Sequence, residues 1–430
     1  MSNSDQFKFI SRRNLFTLGA LYFFILAPKF YISGLGVIDS GIISVFLLIL
    51  LTWSGRVQFI LNRFLPFGLV FIFLLLLTLF SSLVSLQFGP YGHHYYFFVV
   101  PLYILVGISI GAYYSRFLSF HELLIFLLKL LIVIGALNSL FIILSFFFPE
   151  FRQILEGVLH QDERSNINYS EREIRLRGLA AGGGANQSLF LGALIVIAFG
   201  LYLYRAMRFI NMIIIVVILF SANLLVGRTG ILISFLGVSF ILVVFLAKAA
   251  FSYVLNVKAV YILLFSAGFT VLLPTIVYIV FPDSVYHYAL GFFYSGLGGV
   301  SDEGTIRILI RYYRIPDSAV TFLIGVGNGS GSFFEGASGD PGFMKMFTAV
   351  GFLGSLLFYS TIFYLGFKLS RQSKMVVLFI ALFFIWFLAE FKEPFMLKGY
   401  FARAMWIFIG IMSVYHLNFF SRGFGFLRAS

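Results

Sequence analysis

The chain has 430 residues, is 60% hydrophobic and only 11% charged, and has a mean hydropathy of +1.00. A soluble domain is about half apolar and about a quarter charged, so this chain cannot hide its apolar surface from water and reads as an integral membrane protein. Thirty Lys and Arg against 17 Asp and Glu give +13, which in a membrane chain is first a topology signal rather than a sign of nucleic-acid binding, and the absence of cysteine excludes disulfides, thiolate catalysis and Cys-bound zinc.

In chain order, Lys8, Arg12 and Arg13 precede the first apolar run. No small-residue cleavage site follows cleanly, so that run reads as a span and not as a removed signal peptide. Runs long enough to cross a bilayer lie at Asn14–Tyr31, Ile38–Trp53, Phe64–Phe88, Tyr95–Tyr114 and Leu123–Phe148. Further runs lie at Ala185–Tyr204, Ile210–Val226, Gly230–Leu246, Ala259–Phe281, Phe343–Phe367, Met375–Phe391 and Phe401–Phe419. The expected fold is therefore all-α: one transmembrane domain, residues 1–430, of about twelve spans of about 20 residues each. Most Phe is expected to face lipid, with Tyr and Trp forming an interfacial belt at the helix ends.

With the N-terminus in the cytoplasm, the cytoplasmic segments collect Arg56, Arg63, Arg116, Arg205, Arg208, Lys248, Lys258, Lys368, Arg371, Lys374, Arg422 and Arg428 besides the N-terminal cations. The short outer loops hold only Lys29, Arg228, Lys392 and Lys398. This asymmetry predicts that both termini are cytoplasmic. Two outer loops, 149–184 and 282–342, are long, and each is expected to carry a short helix lying against the membrane. In the second, Thr305–Pro316 is amphipathic, with Arg307, Arg311 and Arg314 on one face. No internal repeat and no matched pair of broken helices stands out, which weighs against a secondary transporter.

The residues suited to chemistry cluster in these outer segments. Arg164, Arg172, Arg175 and Arg177 lead into the glycine-rich stretch Gly178 to Asn186 that opens a helix. Such an entry presents free N–H groups to an anion, and arginine adds forked donors for phosphate. Arg164 and Arg172 read instead as loop cations paired with Glu163, Glu171 and Glu173, whereas Arg175 and Arg177, nearest the membrane, suit a ligand. Arg228 stands in the tight outer turn Gly227-Arg228-Thr229-Gly230, where a cation needs a carboxylate or a bound diphosphate. The glycine string Gly325 to Gly331, with Asn328 inside it, is followed by Glu335 and Asp340; no nucleotide P-loop pattern is present. No metal-binding spacing of histidines appears, so no metal or other cofactor is expected. Glu390 and Arg403, inside apolar runs, read as a buried ion pair.

Together these patterns resemble the bacterial O-antigen polymerase and O-antigen ligase superfamily, membrane glycosyltransferases of the GT-C type. The resemblance rests on Arg177-Gly178 to Asn186, on Gly227 to Gly230, and on Gly325 to Gly331 followed by Asp340 and Gly351-x-x-Gly354. Arg172 before Gly183, and Arg311 before Gly327, also fit the family's loop arginines followed by a distant glycine. Ligases carry a His-containing pair before Gly-x-x-Gly; here Asp340-Pro341 stands in that place, which favours a polymerase. The resemblance implies a polymerase at the periplasmic face of the inner membrane, in lipopolysaccharide biosynthesis. It would transfer a growing glycan from undecaprenyl diphosphate to a lipid-linked repeat unit. Arg172, Arg175, Arg177, Arg228, Arg307, Arg311 and Arg314 would hold the diphosphate. Gly178, Asn186 and Asn328 would shape the substrate loops, and Asp340 or Glu335 would serve as base. Implied partners are the lipid-linked oligosaccharide, membrane lipids, and a chain-length regulator and flippase of the same pathway, with no nucleic acid. A lipid-linked-oligosaccharide flippase, or an O-antigen ligase, is the alternative.

Overall fold

The computed structural model describes residues 12–32, 36–52, 57–86, 94–160, 174–252, 278–294, 318–327 and 341–416, with a few single positions between them. The helices are α1 (Arg12–Leu26), α2 (Ser40–Thr52), α3 (Val57–Ser85), α4 (His94–Tyr114), α5 (Phe120–Phe147) and α6 (Pro149–Val158). They continue as α7 (Ala185–Leu203), α8 (Phe209–Val226), α9 (Arg228–Ser252), α10 (Asp283–Tyr294) and α11 (Ala319–Ile324). The last are α12 (Gly342–Gln372), α13 (Val376–Glu390) and α14 (Tyr400–His416). Among the described residues, seven helices are long and apolar enough to cross a membrane, within α3, α4, α5, α7, α8, α9 and α12; α1, α2, α13 and α14 contain shorter apolar helices. The protein is thus an all-α membrane protein.

One small sheet departs from the expected reading. The first span stops at Leu26, not Tyr31, and the second starts at Ser40. Between them β1 (Lys29–Ile32) and β2 (Gly36–Asp39) form an antiparallel hairpin with Lys29 opposite Asp39. Pro28 has no N–H and disfavours helix at the residue before it; Ala27 leaves the helix with φ +41.

Helix ends sort into two layers. At the hairpin end, the Ala181 N–H donates to Leu26 O (3.0 Å), the His160 N–H to Lys29 O (2.8 Å) and the Arg175 N–H to Leu225 O (2.6 Å). At the far end, the Tyr415 hydroxyl donates to Leu118 O (2.9 Å), the Val377 N–H to Tyr204 Oη (3.2 Å), and His121 Nδ1 lies 2.8 Å from Ser373 O. The far end carries the turns of Arg116, Arg205, Arg208 and Lys374. Tyr261 meets Phe209 at the far end (ring centroids 6.1 Å apart), and Phe281 meets Phe146 at the hairpin end (5.7 Å). Tyr261 and Phe281 thus lie at opposite ends, and the stretch expected as the ninth span lies mostly outside the described residues.

Glycines set the closest helix approaches. On α4, Gly107 and Gly111 are one turn apart, and a Cβ on Gly107 would stand 2.3 Å from Ile407 O of α14. Gly410 answers from α14, where a Cβ would stand 2.4 Å from Ile104 O. Small residues at this spacing let backbones meet, which is how helices gain contact inside lipid. Trp386 and Trp406 are fully buried rather than interfacial. Their indole N–H groups donate to Phe395 O (2.8 Å) and Met396 O (2.9 Å), pinning the α13–α14 loop.

Helix α12 is broken. Gly351 has φ +63 inside it, and the backbone of 325–327 lies against the break. The Val326 N–H donates to Thr348 O (2.7 Å) and the Gly327 N–H to Ala349 O (3.0 Å). Ser81 and Ser85 of α3 donate to Ile324 O (2.5 Å) and Val326 O (2.7 Å). Non-helical backbone inside a membrane bundle needs such partners.

Candidate functional site

The candidate site lies at the hairpin end, where the glycine turn into α7, the α8–α9 turn, α10 and the α13–α14 loop meet. Its structural anchor is Arg177, which is 2% exposed. Its Nε donates to both carboxylate oxygens of Glu156 on α6 (3.1 and 2.9 Å), and Nη2 reaches Glu156 Oε2. Nη1 donates to His160 O (3.1 Å) and Ala181 O (3.3 Å). Each guanidinium nitrogen thus has an acceptor within the protein, and the expected diphosphate role of Arg177 is corrected: it ties α6 to the glycine turn. A buried arginine is stable only if paired and hydrogen-bonded in this way.

The turn that follows is fixed from α5. Asn138 Oδ1 accepts from the Leu179 N–H (2.8 Å), and the Asn138 amide donates to Arg177 O (3.4 Å). Gly178 has φ +56, and a Cβ there would stand 2.8 Å from Asn138 Oδ1. Gly178 therefore shapes this turn. Tyr400 Oη accepts from the Gly182 N–H (2.8 Å) and donates to Gly182 O (2.7 Å). Gly184 has φ +76 and open space where a Cβ would project. The first turn of α7 has no side-chain cap, leaving helix N–H groups of the kind that attract anions. Asn186 faces Gly399 there, and its buried Oδ1 has no hydrogen-bond partner among the described residues.

The backbone of Arg175 lies beside the α8–α9 turn that carries Arg228. The Arg175 N–H is bonded to Leu225 O, three residues before Arg228. Both side chains are exposed. The Arg228 guanidinium lies 4.9 Å from the centroid of the Tyr288 ring of α10, a cation–π contact that leaves N–H groups for a ligand. Arg175 takes the left-handed conformation, φ +65, which is uncommon for a residue with a side chain. Lys392 joins the corner from the α13–α14 loop, its Nζ 2.8 Å from Thr229 Oγ1.

The corner is held shut by Ser188 on α7. Its Oγ lies 2.7 Å from Asn223 Oδ1 and 2.5 Å from Gly227 O, and it accepts from the Gly230 N–H (2.7 Å). A Cβ on Gly230 would stand 1.8 Å from Ser188 O. Sequence reasoning missed Glu156, Asn138, Ser188 and Asn223. The signal for the last three was a polar side chain within an apolar helix.

Glu390 and Arg403 do not pair, which corrects the expected ion pair. Glu390 is fully buried and accepts from the Met396 N–H (2.8 Å) and the Tyr359 hydroxyl (3.1 Å). Arg403 Nη1 donates to Phe24 O (2.7 Å) and Ile25 O (3.1 Å), at the C-terminal end of α1. That is where a helix dipole favours a cation. Arg172, Arg307, Arg311, Arg314, Asn328, Glu335 and Asp340 lie outside the described residues. Among the described residues no group of three or more His, Asp or Glu is arranged to hold a metal ion.

The fold and this corner define a class, a polytopic helical membrane protein with a cationic mouth at one end. Comparison takes the identification no further: no protein-family model, curated protein or solved structure matches the chain.

Proposed function

We propose that the protein is an O-antigen-type polysaccharide polymerase. In this reading it spans the bacterial inner membrane about twelve times, with both termini cytoplasmic and the hairpin end in the periplasm. The donor is a glycan on undecaprenyl diphosphate and the acceptor a lipid-linked repeat unit. An acceptor hydroxyl attacks the anomeric carbon, the bond to diphosphate breaks, and lipid diphosphate leaves. Asp340 or Glu335 takes the hydroxyl proton. The observation that carries the reading is the placing of exposed Arg175 beside the turn of exposed Arg228, next to the start of α7, whose N-cap Gly184 has no capping side chain. Forked donors placed there meet the negative charge that grows on the leaving diphosphate.

The test is polymerisation of a purified lipid-linked repeat unit by the protein in proteoliposomes, read as product length. Arg228→Ala and Arg175→Ala should each slow extension by about 10²–10³-fold, the cost typical of one lost oxyanion donor. Long polymer at the native rate from both variants rejects the clamp. A flippase is the second reading, favoured by the broken α12, since transporter sites use discontinuous helices. It predicts lipid-linked oligosaccharide crossing the same vesicles with no polymer formed.

A further inference from the structure

Helix α6 buries a carboxylate and exposes apolar side chains beside polar ones. Glu156 turns into the protein onto Arg177, while Ile154 and Val158 turn outward, 70% and 52% exposed. A helix facing water would show the opposite arrangement. The outward residues are not isolated. On α5, Val133, Leu137, Leu140, Leu144 and Phe147 are exposed at steps of three or four residues, so they form one stripe along that helix. Helix α5 is apolar and long enough to cross a membrane, and this stripe is its lipid-facing side. Exposed Phe148 then leads into α6, which turns back against α5 with the Phe151 ring stacked on Phe141 (centroids 6.0 Å apart), and Ile154 and Val158 share one exposed face there.

We propose that α6 lies in the boundary layer of the bilayer, with a lipid surface as its partner. Ile154 and Val158 enter the acyl region, and exposed Glu150 and Gln153 sit among headgroups. Because Glu156 is on the opposite side of the same helix, α6 is held between lipid and Arg177. Arg177 also binds the carbonyls of His160 and Ala181. The seat of α6 on the membrane therefore sets where the glycine turn into α7 stands. This holds whichever reaction the site performs.

The chain has no cysteine, so Ile154→Cys, Val158→Cys, Gln153→Cys and Leu140→Cys variants accept a nitroxide label without background. Power-saturation EPR in liposomes, with oxygen and a water-soluble nickel chelate, reads the depth of each label. Labels at 154 and 158 should resemble that at 140, open to oxygen and protected from nickel, whereas 153 should be open to nickel. Labels at 154 and 158 as open to nickel as 153 would place α6 in water and overturn the proposal. Shielding from both reagents, or dipolar broadening between copies, would put protein on this face and overturn it equally. Adding Glu156→Gln should leave the depth of the 154 label unchanged but increase its mobility. Unchanged mobility would refute the coupling to Arg177.

Discussion

Arg177 and Arg228 look alike in the sequence, each an arginine beside glycine next to an apolar run, yet they sit in opposite environments. Arg228 is exposed over the Tyr288 ring; Arg177 is enclosed and matched to Glu156. Their substitutions should therefore fail differently. Arg177→Ala leaves Glu156 buried without its cation, a loss of about 3–5 kcal/mol, seen as a lower unfolding midpoint in detergent. Removing both charges, with Glu156→Gln and Arg177→Met, should cost less than Arg177→Ala alone; an equal or larger loss contradicts the clamp. Arg228→Lys should keep the native midpoint but restore only part of the extension rate, because lysine keeps the charge and loses the fork. The sequence could show that these arginines were unusual but not which was enclosed. The deciding partner, Glu156, lies in a loop where a carboxylate ordinarily reads as solvated. The Glu390–Arg403 pairing failed for a related reason: periodicity locates each charge in an apolar helix without saying which neighbour it faces.

At the scale of elements, the apolar runs placed most helices because lipid leaves a backbone little else to do. They were silent on how helix ends are finished. The hairpin after α1 and the break in α12 both depend on contacts distant in sequence. Gly325 and Gly351 were recognisable as glycines of one pattern, and the fold puts them in contact: a Cβ on Gly351 would stand 2.4 Å from Leu323 O and 2.5 Å from Gly325 N. Gly351→Ala therefore meets both a steric block and a positive-φ extended backbone (φ +63, ψ −167), the latter costing about 1–3 kcal/mol. Hydrogen exchange at the Val326 and Gly327 amides should quicken at least tenfold in this variant. Native protection would show that the break does not depend on glycine. Gly230→Ala should likewise force α7 and α9 apart and lower the yield of folded protein, measured by size-exclusion chromatography in detergent.

For the whole molecule, the two layers of helix ends give a topology that labelling can test. Single cysteines placed at Arg205 and Lys374 of the far end should be modified only from the cytoplasmic side of intact cells, and one at Lys398 only from outside. A label reaching the far-end positions from outside would invert the proposed orientation. The charge asymmetry carries the prediction of this orientation, because cytoplasmic loops retain cations. The closure of the bundle it did not carry. Helix α14 lies along the glycines of α4, Arg403 binds the end of α1, and Tyr415 binds the turn before α5. During synthesis, then, the earliest helices must wait in the bilayer with their closest contact surface unfilled until α14 arrives. A ribosome that stalls before Tyr400 releases a chain with an open seam along α4, the kind of unfinished surface that membrane quality-control proteases find.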